Sequence, residues 1–586
     1  MLNSMRRTAA ALLGMALVAG LTALAWTRAP GPPARLTISI VGTNDLHGRI
    51  APDPYARGGL SAFGGFIHNL RAARARDRGA LLLLDAGDTF QATTATLPGV
   101  ESNLSEGGVV VDAYNAMGYT ALAIGNHDFE FGAADRAANQ LDLQGALKVA
   151  AARARFPFLA ANILEASTGK PVDWPNVRPS TIVDAAGIRV GLIGVMTYTG
   201  LRQTLVANVG SLVTAPLVET IASEADGLRR QGADIVVLVA HAGGRCEDTS
   251  NPRDLSSCDP RSEIFDVVRG LPRGTLQAIV AGHTHGSIAH VFEDVPITSV
   301  PEGGIQFGRM DLTIDTAARR VADVRVYPPR NICTREKPSI GDCQAAGNGV
   351  PAEYEGGTVQ ASAAVESAMA PARAEVRRRR IEPLGVTVSA PIGRIGTPES
   401  PLGNLFADAI RAATPDAEVA ISYGGGRGGL RADLAAGPLT FGALYDAFPF
   451  DNRVVRARLT GSQVTLALEG QLGNARRRGL ISVSGLRATV RCVGTEPRVT
   501  IARASGEPIG ATETLVVAST ANSSARVAWA GIGGDEGVAM TEGAPLVREM
   551  VEGWLRRRGG EISPADFYDA ASPRWSVPAE GLTCGA

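Results

Sequence analysis

The stretch TALAIGNHDFEFG, Thr120 to Gly132, joins a short apolar run to a cluster of polar side chains. The run ends at Gly125, and Asn, His, Asp and Glu then occur within positions 126–130. A short apolar run that ends at a glycine is typical of a buried strand. If the other histidines of the chain follow similar runs, the polar cluster marks a site at the carboxyl end of a sheet.

Similar apolar runs recur through the first half of the chain, separated by Ala- and Arg-rich stretches with helical composition. This alternation predicts an α/β layered domain with buried strands. All but one of the runs end in polar side chains that can bind ligands. The runs are LTISIVGTND (Leu36–Asp45), ALLLLDAGDT (Ala80–Thr89), TALAIGNHD (Thr120–Asp128), IRVGLIGVMT (Ile188–Thr197), DIVVLVAHAG (Asp234–Gly243) and LQAIVAGHTH (Leu276–His285).

Five of the seven histidines follow these runs, together with several aspartates and an asparagine. Such a set suits a borderline divalent cation such as Zn, Mn or Fe, whereas calcium prefers an all-oxygen shell. For any one motif alone, a capping aspartate or a core histidine is an equal alternative. The candidate side chains are Asp45, His47, Asp85, Asp88, Asn126, His127, His241, His283 and His285.

The number of candidates favours two ions over one. A structural zinc site closes with four ligands, and these motifs offer more donors than that. Two ions that share a carboxylate would use them. Such a pair stabilises the attacking and leaving oxygens of a phosphoryl displacement and generates hydroxide near neutral pH. The pattern therefore indicates a dinuclear phosphohydrolase.

The series D-x-H, GD, GNH, H and GHTH resembles the calcineurin-like metallophosphoesterases. With its C-terminal part, the chain is similar to the exported 5′-nucleotidase family, which includes UDP-sugar hydrolases and 2′,3′-cyclic nucleotidases. The resemblance implies two divalent ions, Zn, Mn or similar. It also implies that His127 stabilises the transition state or leaving group and that Glu130 orients it. The implied metal ligands are Asp45, His47, Asp88 and His285 for one ion, and Asp88, Asn126, His241 and His283 for the other.

The resemblance implies a fold in the α/β class. It is a four-layer metallophosphoesterase β-sandwich flanked by helices, followed by a linking helix and a smaller α/β C-terminal substrate-binding domain. We expect the phosphoesterase domain at 35–330, a linker with a helix at 331–380 and the nucleoside-binding domain at 381–575. Composition places the linking helix at about Tyr354 to Arg380. His68 and His290 are given no functional role.

In this family the second domain binds the nucleoside, with an arginine for its polar groups and two aromatic rings around the base. Here GGLRADL supplies Arg431, FPFDN supplies Phe450, and WAGIGGDEG supplies Trp529 and Asp535. Base stacking on an aromatic ring is worth about 1–3 kcal/mol. The chain departs from the family at Gly426, where an asparagine is usual, and near Gly537, where an aromatic residue is missing. Ordinary core packing is the alternative for both aromatic residues.

The N-terminus has the layout of an export signal, with an apolar run from Ala9 to about Trp26 behind two arginines. We assign residues 1–29 to a signal peptide, with an uncleaved membrane anchor as the alternative. The six cysteines favour disulfides over a zinc cluster. Cys246 with Cys258 and Cys333 with Cys343 are close in sequence, while Cys492 and Cys584 either pair or stay free. The predicted location is periplasmic or extracellular.

The predicted function is metal-dependent hydrolysis of nucleotide phosphate esters, in which hydroxide from the metal centre attacks phosphorus. The resemblance implies a small nucleotide as the substrate, and a net charge of −1 gives no support to binding of a nucleic-acid polymer. The alternatives are a UDP-sugar hydrolase or a 2′,3′-cyclic-nucleotide phosphodiesterase with 3′-nucleotidase activity. Less favoured are a sulfur-ester thiohydrolase and a binding protein that keeps the fold without catalysis.

Overall fold

The computed structural model describes most of the chain. The signal or anchor predicted at 1–29 lies outside the described residues, as do Gly426, Trp529, Asp535 and Gly537. Within the described part, no helix combines the length and apolar character that crossing a membrane requires. The described residues are 34–90, 99–134, 142–205, 208–337, 342–344, 349–395, 399–422, 429–450, 452–520, 538–539, 546–578 and 584.

Two mixed sheets form the centre of the N-terminal domain, with the orders β15-β14-β1-β2-β3-β4-β6 and β12-β13-β11-β10-β8-β7. The strands in chain order are β1 Arg35–Thr43, β2 Ala80–Asp85, β3 Ala121–Ala123, β4 Phe158–Leu159, β5 Ile163–Glu165, β6 Val177–Arg178, β7 Ser180–Ala185, β8 Ile188–Met196, β9 Leu212–Thr214, β10 Ile235–His241, β11 Ala278–Ala281, β12 Ile288–Phe292, β13 Val295–Ser299, β14 Gln306–Asp315 and β15 Arg320–Asn331. Strands β1 to β4 run parallel, as do β8, β10 and β11. A separate pair is formed by β5 and β9.

Successive apolar side chains of one strand pack into two different layers, because they point to opposite faces of the sheet. In β2, Leu82 and Leu84 join the core between the two sheets, while Leu83 faces the helices on the outer side. In β10, Val237 lies in the inner core and Leu238 in the core under the opposite helices. The helices are α1 Leu60–Arg76, α2 Val100–Leu104, α3 Gly108–Met117, α4 Gly145–Arg153, α5 Leu217–Arg230 and α6 Glu263–Gly270. The arrangement is the four-layer α/β sandwich that was predicted.

The linking segment begins with strands rather than a helix. Four short strands precede the helix: β16 Arg335–Glu336, β17 Val350–Pro351, β18 Glu353–Tyr354 and β19 Gly357–Thr358. The helix that follows, α7, spans Ala363–Arg380, so the start expected near Tyr354 is wrong. The reason is local, because Gly356 has φ +78° and turns the chain into the β18–β19 hairpin. The Ser362 side chain then accepts a hydrogen bond from Val365 N and caps the helix.

The C-terminal domain also combines sheets and helices. Its sheets have the orders β22-β20-β29, β24-β21-β27-β23-β28 and β26-β25-β30. The strands are β20 Pro383–Val388, β21 Val419–Ser422, β22 Gly437–Thr440, β23 Val454–Thr460, β24 Ser482–Ser484, β25 Leu486–Val493, β26 Glu496–Arg503, β27 Thr514–Thr520, β28 Val538–Ala539, β29 Gly560–Ile562 and β30 Trp575–Ser576. The helices are α8 Pro401–Ala413, α9 Phe441–Ala447, α10 Gly461–Arg478 and α11 Val547–Arg558.

All six cysteines form disulfides. The pairs are Cys246–Cys258, Cys333–Cys343 and Cys492–Cys584. The first two join residues close in sequence, as expected. The third joins β25 to the C-terminal end of the chain, and tertiary structure decides it, because the two cysteines are separated by 92 positions.

Candidate dinuclear metal centre

The candidate ligands lie at the carboxyl ends of parallel strands in both sheets. Asp45 and His47 follow β1, Asp88 follows β2, and Asn126 follows β3. His241 ends β10, and the pair His283 and His285 follows β11. Because both sheets end at the same side of the sandwich, residues far apart in sequence meet there.

One group of donors is formed by Asp45, His47 and His285, whose ligand atoms all lie within 4.8 Å of one another. His285 Nε2 is 3.2 Å from His47 Nε2 and 3.4 Å from Asp45 Oδ1. Asp45 and His47 are almost fully buried. The three side chains therefore converge on one point.

A second group is formed by Asp88, His241 and His283, again with ligand atoms within 4.8 Å. His241 Nε2 lies 3.2 Å from Asp88 Oδ2, 3.2 Å from His283 Nδ1 and 3.0 Å from Asn126 Oδ1. The other ring nitrogen, His241 Nδ1, lies 2.7 Å from the carbonyl oxygen of Ala86. This contact fixes the ring and leaves Nε2 facing the other three donors.

Several of these ligands have a strained backbone. Positive φ is uncommon for residues other than glycine and is costly unless the surrounding structure holds it. Five of the seven candidate ligands adopt it: Asp45 (49°), His47 (49°), Asp88 (54°), His283 (77°) and His285 (55°). Such clusters of backbone strain concentrate at functional sites.

The donor set fits two divalent cations. Asp45 Oδ1 is buried, and no hydrogen bond from the described residues reaches it, a costly arrangement that a cation would relieve. Burial lowers the pKa of His47, and burial lowers the pKa of His283 to about 4, so both rings are neutral as ligands must be. Burial alone would lower the pKa of His241, but the Asp88 carboxylate raises it to about 9. The Asp88 carboxylate therefore stabilises positive charge at His241 Nε2, and it would do the same for the charge of a bound metal ion.

Two further aspartates support the site without belonging to either donor group. Asp128, to which the sequence interpretation gave no role, accepts hydrogen bonds from the backbone N–H groups of Asp88, Thr89, Phe90 and Gly125. Burial and the charge of Asp88 raise its pKa to about 7. Asp85, a sequence candidate, instead accepts from the hydroxyls of Thr43, Thr89 and Tyr114 beneath the site. The motif DAGDT alone does not show that Asp85 is a hydrogen-bond acceptor beneath the site and Asp88 a candidate ligand.

His127 lies beside the donor groups, with its ring centroid 5.4 Å from that of His47. Its backbone N–H donates to Asp88 Oδ1 at 2.8 Å, and its Nδ1 is 2.7 Å from Glu130 Oε1. Burial would lower its pKa, but the carboxylates of Glu130 and Asp88 raise the pKa of His127 to about 10. The side chain is therefore a cation at neutral pH, positioned by Glu130.

Replacing Glu130 by glutamine removes one of the charges that raise the pKa of His127. Because His127 is protonated below its pKa, we expect the alkaline limb of the kcat–pH profile to move to lower pH. Above both pKa values, each unit of decrease lowers the protonated fraction about tenfold. The measurement is the pH profile of metal-loaded wild type and Glu130→Gln in the same buffers, and an unmoved alkaline limb would contradict the assignment.

Two of the four predicted substrate residues are described. The Arg431 guanidinium lies over the ring of Phe450, with its Cζ 5.0 Å from the ring centroid. Phe450 is half-buried, and its carbonyl oxygen accepts a hydrogen bond from Arg548 Nη1 at 2.9 Å. Of the histidines without a predicted role, His68 is exposed on α1, and His290 is buried in β12.

The fold and site define a metallophosphoesterase. Residues 38–287 match the calcineurin-like phosphoesterase family, and residues 385–524 match the 5′-nucleotidase C-terminal domain. The chain belongs to the 5′-nucleotidase family, which combines these two domains. It is a hydrolase that acts on phosphoric esters and uses two divalent metal ions.

Individual relatives are distant in sequence. Protein UshA of Escherichia coli is 25% identical over 78% of this chain and 80% of that protein. A 5′-nucleotidase of Diplobatis ommata is 29% identical, but the match spans 36% of this chain and only 34% of the relative. The structure of a Thermus thermophilus 5′-nucleotidase precursor covers 93% of this chain and is itself covered completely, with 21% identity and a TM-score of 0.50. The structural likeness supports the fold alone.

Proposed function

We propose that the protein is a 5′-nucleotidase that hydrolyses nucleoside monophosphates. The observation that carries this proposal is the pair of donor groups at the strand ends with a cationic histidine beside them. Asp45, His47, Asp88 and His285 would hold one ion. Asn126, His241 and His283 would hold the second ion, with Asp88 shared between the two.

When bound, the two ions supply Lewis acidity toward the phosphoryl oxygens and a strong nucleophile near neutral pH. The Asp88 carboxylate stays anionic and available to both ions. Burial would raise its pKa, but the His241 and His127 side chains lower it well below its ordinary range. The His127 cation stabilises the negative charge that develops on the phosphoryl oxygens or on the leaving group. Glu130 holds that ring in place from the other side.

Contact between the two domains supports a nucleotide as the substrate. Arg453 follows the FPFDN motif of the second domain, and it is buried. A Cβ at Gly132, where the opening stretch of the catalytic motif ends, would lie only 2.4 Å from Arg453 Nη2. Asn208 donates hydrogen bonds to the carbonyl oxygens of Phe129 and Glu130 at the same place. The segment that carries Phe450 thus meets the segment that carries His127.

Replacing Phe450 by alanine tests recognition of the base. Stacking on an aromatic ring is worth about 1–3 kcal/mol per base, so we expect KM for AMP to rise by roughly fivefold to 150-fold. KM for p-nitrophenyl phosphate should change less than twofold, since this ester has no nucleobase. The matched control is Phe292→Ala, which removes an aromatic ring from β12 of the N-terminal domain and leaves the C-terminal domain unchanged. Equal KM changes for the two substrates would contradict a role in base recognition.

The function is tested by a panel of substrates on the mature chain loaded with Mn²⁺ or Zn²⁺. We expect phosphate release from AMP. Formation of UMP and glucose 1-phosphate from UDP-glucose, or of an adenosine monophosphate from 2′,3′-cyclic AMP, without phosphate release from AMP would assign the site to those substrates. Release from p-nitrophenyl phosphate alone would keep the phosphoesterase activity but overturn the nucleotide assignment. Failure with every ester while both ions are bound would favour a thiohydrolase or a binding protein.

We further propose that the protein acts outside the cytoplasm. The three disulfides fit an oxidising compartment, which in bacteria is the periplasm or the exterior. The proposed partner is a small nucleotide and not a nucleic-acid polymer. The protein would contact the membrane only if the N-terminal segment is kept as an anchor.

A further inference from the structure

A carboxylate that none of the sequence motifs includes lies behind one of the candidate ligands. Glu302 follows β13, and its Oε2 lies 3.3 Å from Nδ1 of His285. The other nitrogen of that ring, Nε2, points toward Asp45 and His47. His285 is therefore placed between a carboxylate on one side and the metal donors on the other.

The Glu302 oxygen that faces His285 is buried. Among the described residues no hydrogen bond reaches it. A buried carboxylate oxygen without a donor is costly. An N–H on His285 Nδ1, already within 3.3 Å, is the donor that would satisfy it.

The backbone around Glu302 is tied to the ligand loop. The neighbouring Gly303 donates its N–H to the carbonyl oxygen of Asp45 at 2.6 Å. Gly303 has φ +85°, and a Cβ there would lie 2.2 Å from Arg49 Nη1, so the Arg49 side chain packs directly on this glycine. Burial lowers the pKa of Arg49, and the carboxylates of Glu302 and Asp53 oppose that shift. Glu302 thus lies on a segment that is fixed to the site, next to the glycine on which Arg49 packs.

We infer that Glu302 is a positioning residue for the metal centre, one that accepts the Nδ1–H of His285. A neutral imidazole carries one N–H, so a proton held at Nδ1 leaves the lone pair of Nε2 free for a metal ion. A carboxylate behind a metal-bound histidine fixes both its tautomer and its orientation. This inference rests on the metal centre of the proposed function, but not on the identity of the substrate.

Metal binding tests the inference without reference to catalysis. Glu302→Ala, Glu302→Gln and the wild type are dialysed to equilibrium against defined Mn²⁺ concentrations, and bound metal is measured by mass spectrometry. We expect Glu302→Ala to lower the affinity for one of the two ions by about 10-fold to 100-fold. This is the range for loss of a residue that is hydrogen-bonded to a metal ligand. The effect of Glu302→Gln should be smaller, because its amide oxygen still accepts a hydrogen bond. Glu293→Gln, an exposed glutamate in the turn after β12, serves as the control.

A double substitution separates positioning from general damage. If Glu302 acts through His285, adding Glu302→Ala to a His285→Ala chain should weaken binding of the remaining ion less than twofold. Electron paramagnetic resonance of bound Mn²⁺ gives an independent signature, because loss of one ion converts a spin-coupled pair into a single-ion spectrum. A folded Glu302→Ala chain that binds both ions as tightly as the wild type overturns the inference, and so does a further loss in the double variant.

The outcomes also separate this inference from the proposed function. A wild type that binds two Mn²⁺ ions but releases no phosphate from AMP refutes the substrate assignment, and the comparison of Glu302 variants still decides the role of Glu302. A wild type that binds fewer than two ions refutes both.

Discussion

Replacement of Asp88 by asparagine is expected to lower the rate of phosphate release by more than about 100-fold. The loss should exceed the range of about 10-fold to 100-fold for residues that only hydrogen-bond to a metal ligand. Asp88 is the buried side chain that both ions would share. Asp88 Oδ1 accepts a hydrogen bond from the backbone N–H of His127 at 2.8 Å, and Asp88 Oδ2 lies 3.2 Å from His241 Nε2. An amide of the same shape keeps one acceptor oxygen but loses the charge and the second ligand atom.

The Asp88→Asn experiment combines metal content with phosphate release from AMP. We expect at least one ion to be lost together with activity. Asp323→Asn, an exposed aspartate in β15, is the matched control and should leave both quantities unchanged. A variant that binds two ions and retains a third of the wild-type rate would contradict the shared-ligand role.

Replacement of His127 by alanine is expected to lower kcat by about 100-fold to 1000-fold, the cost of removing one group that stabilises charge in a transition state. His127 belongs to neither donor group, and its raised pKa makes it a cation at neutral pH. Since the interaction develops with charge on the phosphoryl oxygens or leaving group, kcat should fall much more than KM rises.

Metal content decides between two roles for His127. The variant should bind two ions as the wild type does, because the imidazole contributes no ligand atom. His68→Ala on the exposed face of α1 is the matched control for loss of a histidine. Loss of one ion in His127→Ala would reassign the residue as a ligand, and an unchanged kcat would remove it from the catalytic machinery.

The linker and the second domain combine features that composition predicts with features that it does not. Composition correctly indicated the end of the linking helix at Arg380 but not its start, since Ala, Glu and Arg content does not register a glycine turn such as that at Gly356. Trp529 and Asp535 lie outside the described residues, so their roles remain predictions. Arg431 and Phe450 lie together, and their roles in substrate binding also remain predictions.

By itself, the sequence indicated six strands of the N-terminal domain, the family and the candidate ligand residues. These features are local, because each ligand ends or closely follows the strand that positions it. Tertiary structure brings the donors of each group together, since Asp45 and His285 meet across two sheets although 240 positions separate them. It also revealed Asp128 as a backbone acceptor, Glu302 behind His285, and Arg453 against Gly132. Those contacts arise from the packing of sheets and domains, which no short motif encodes.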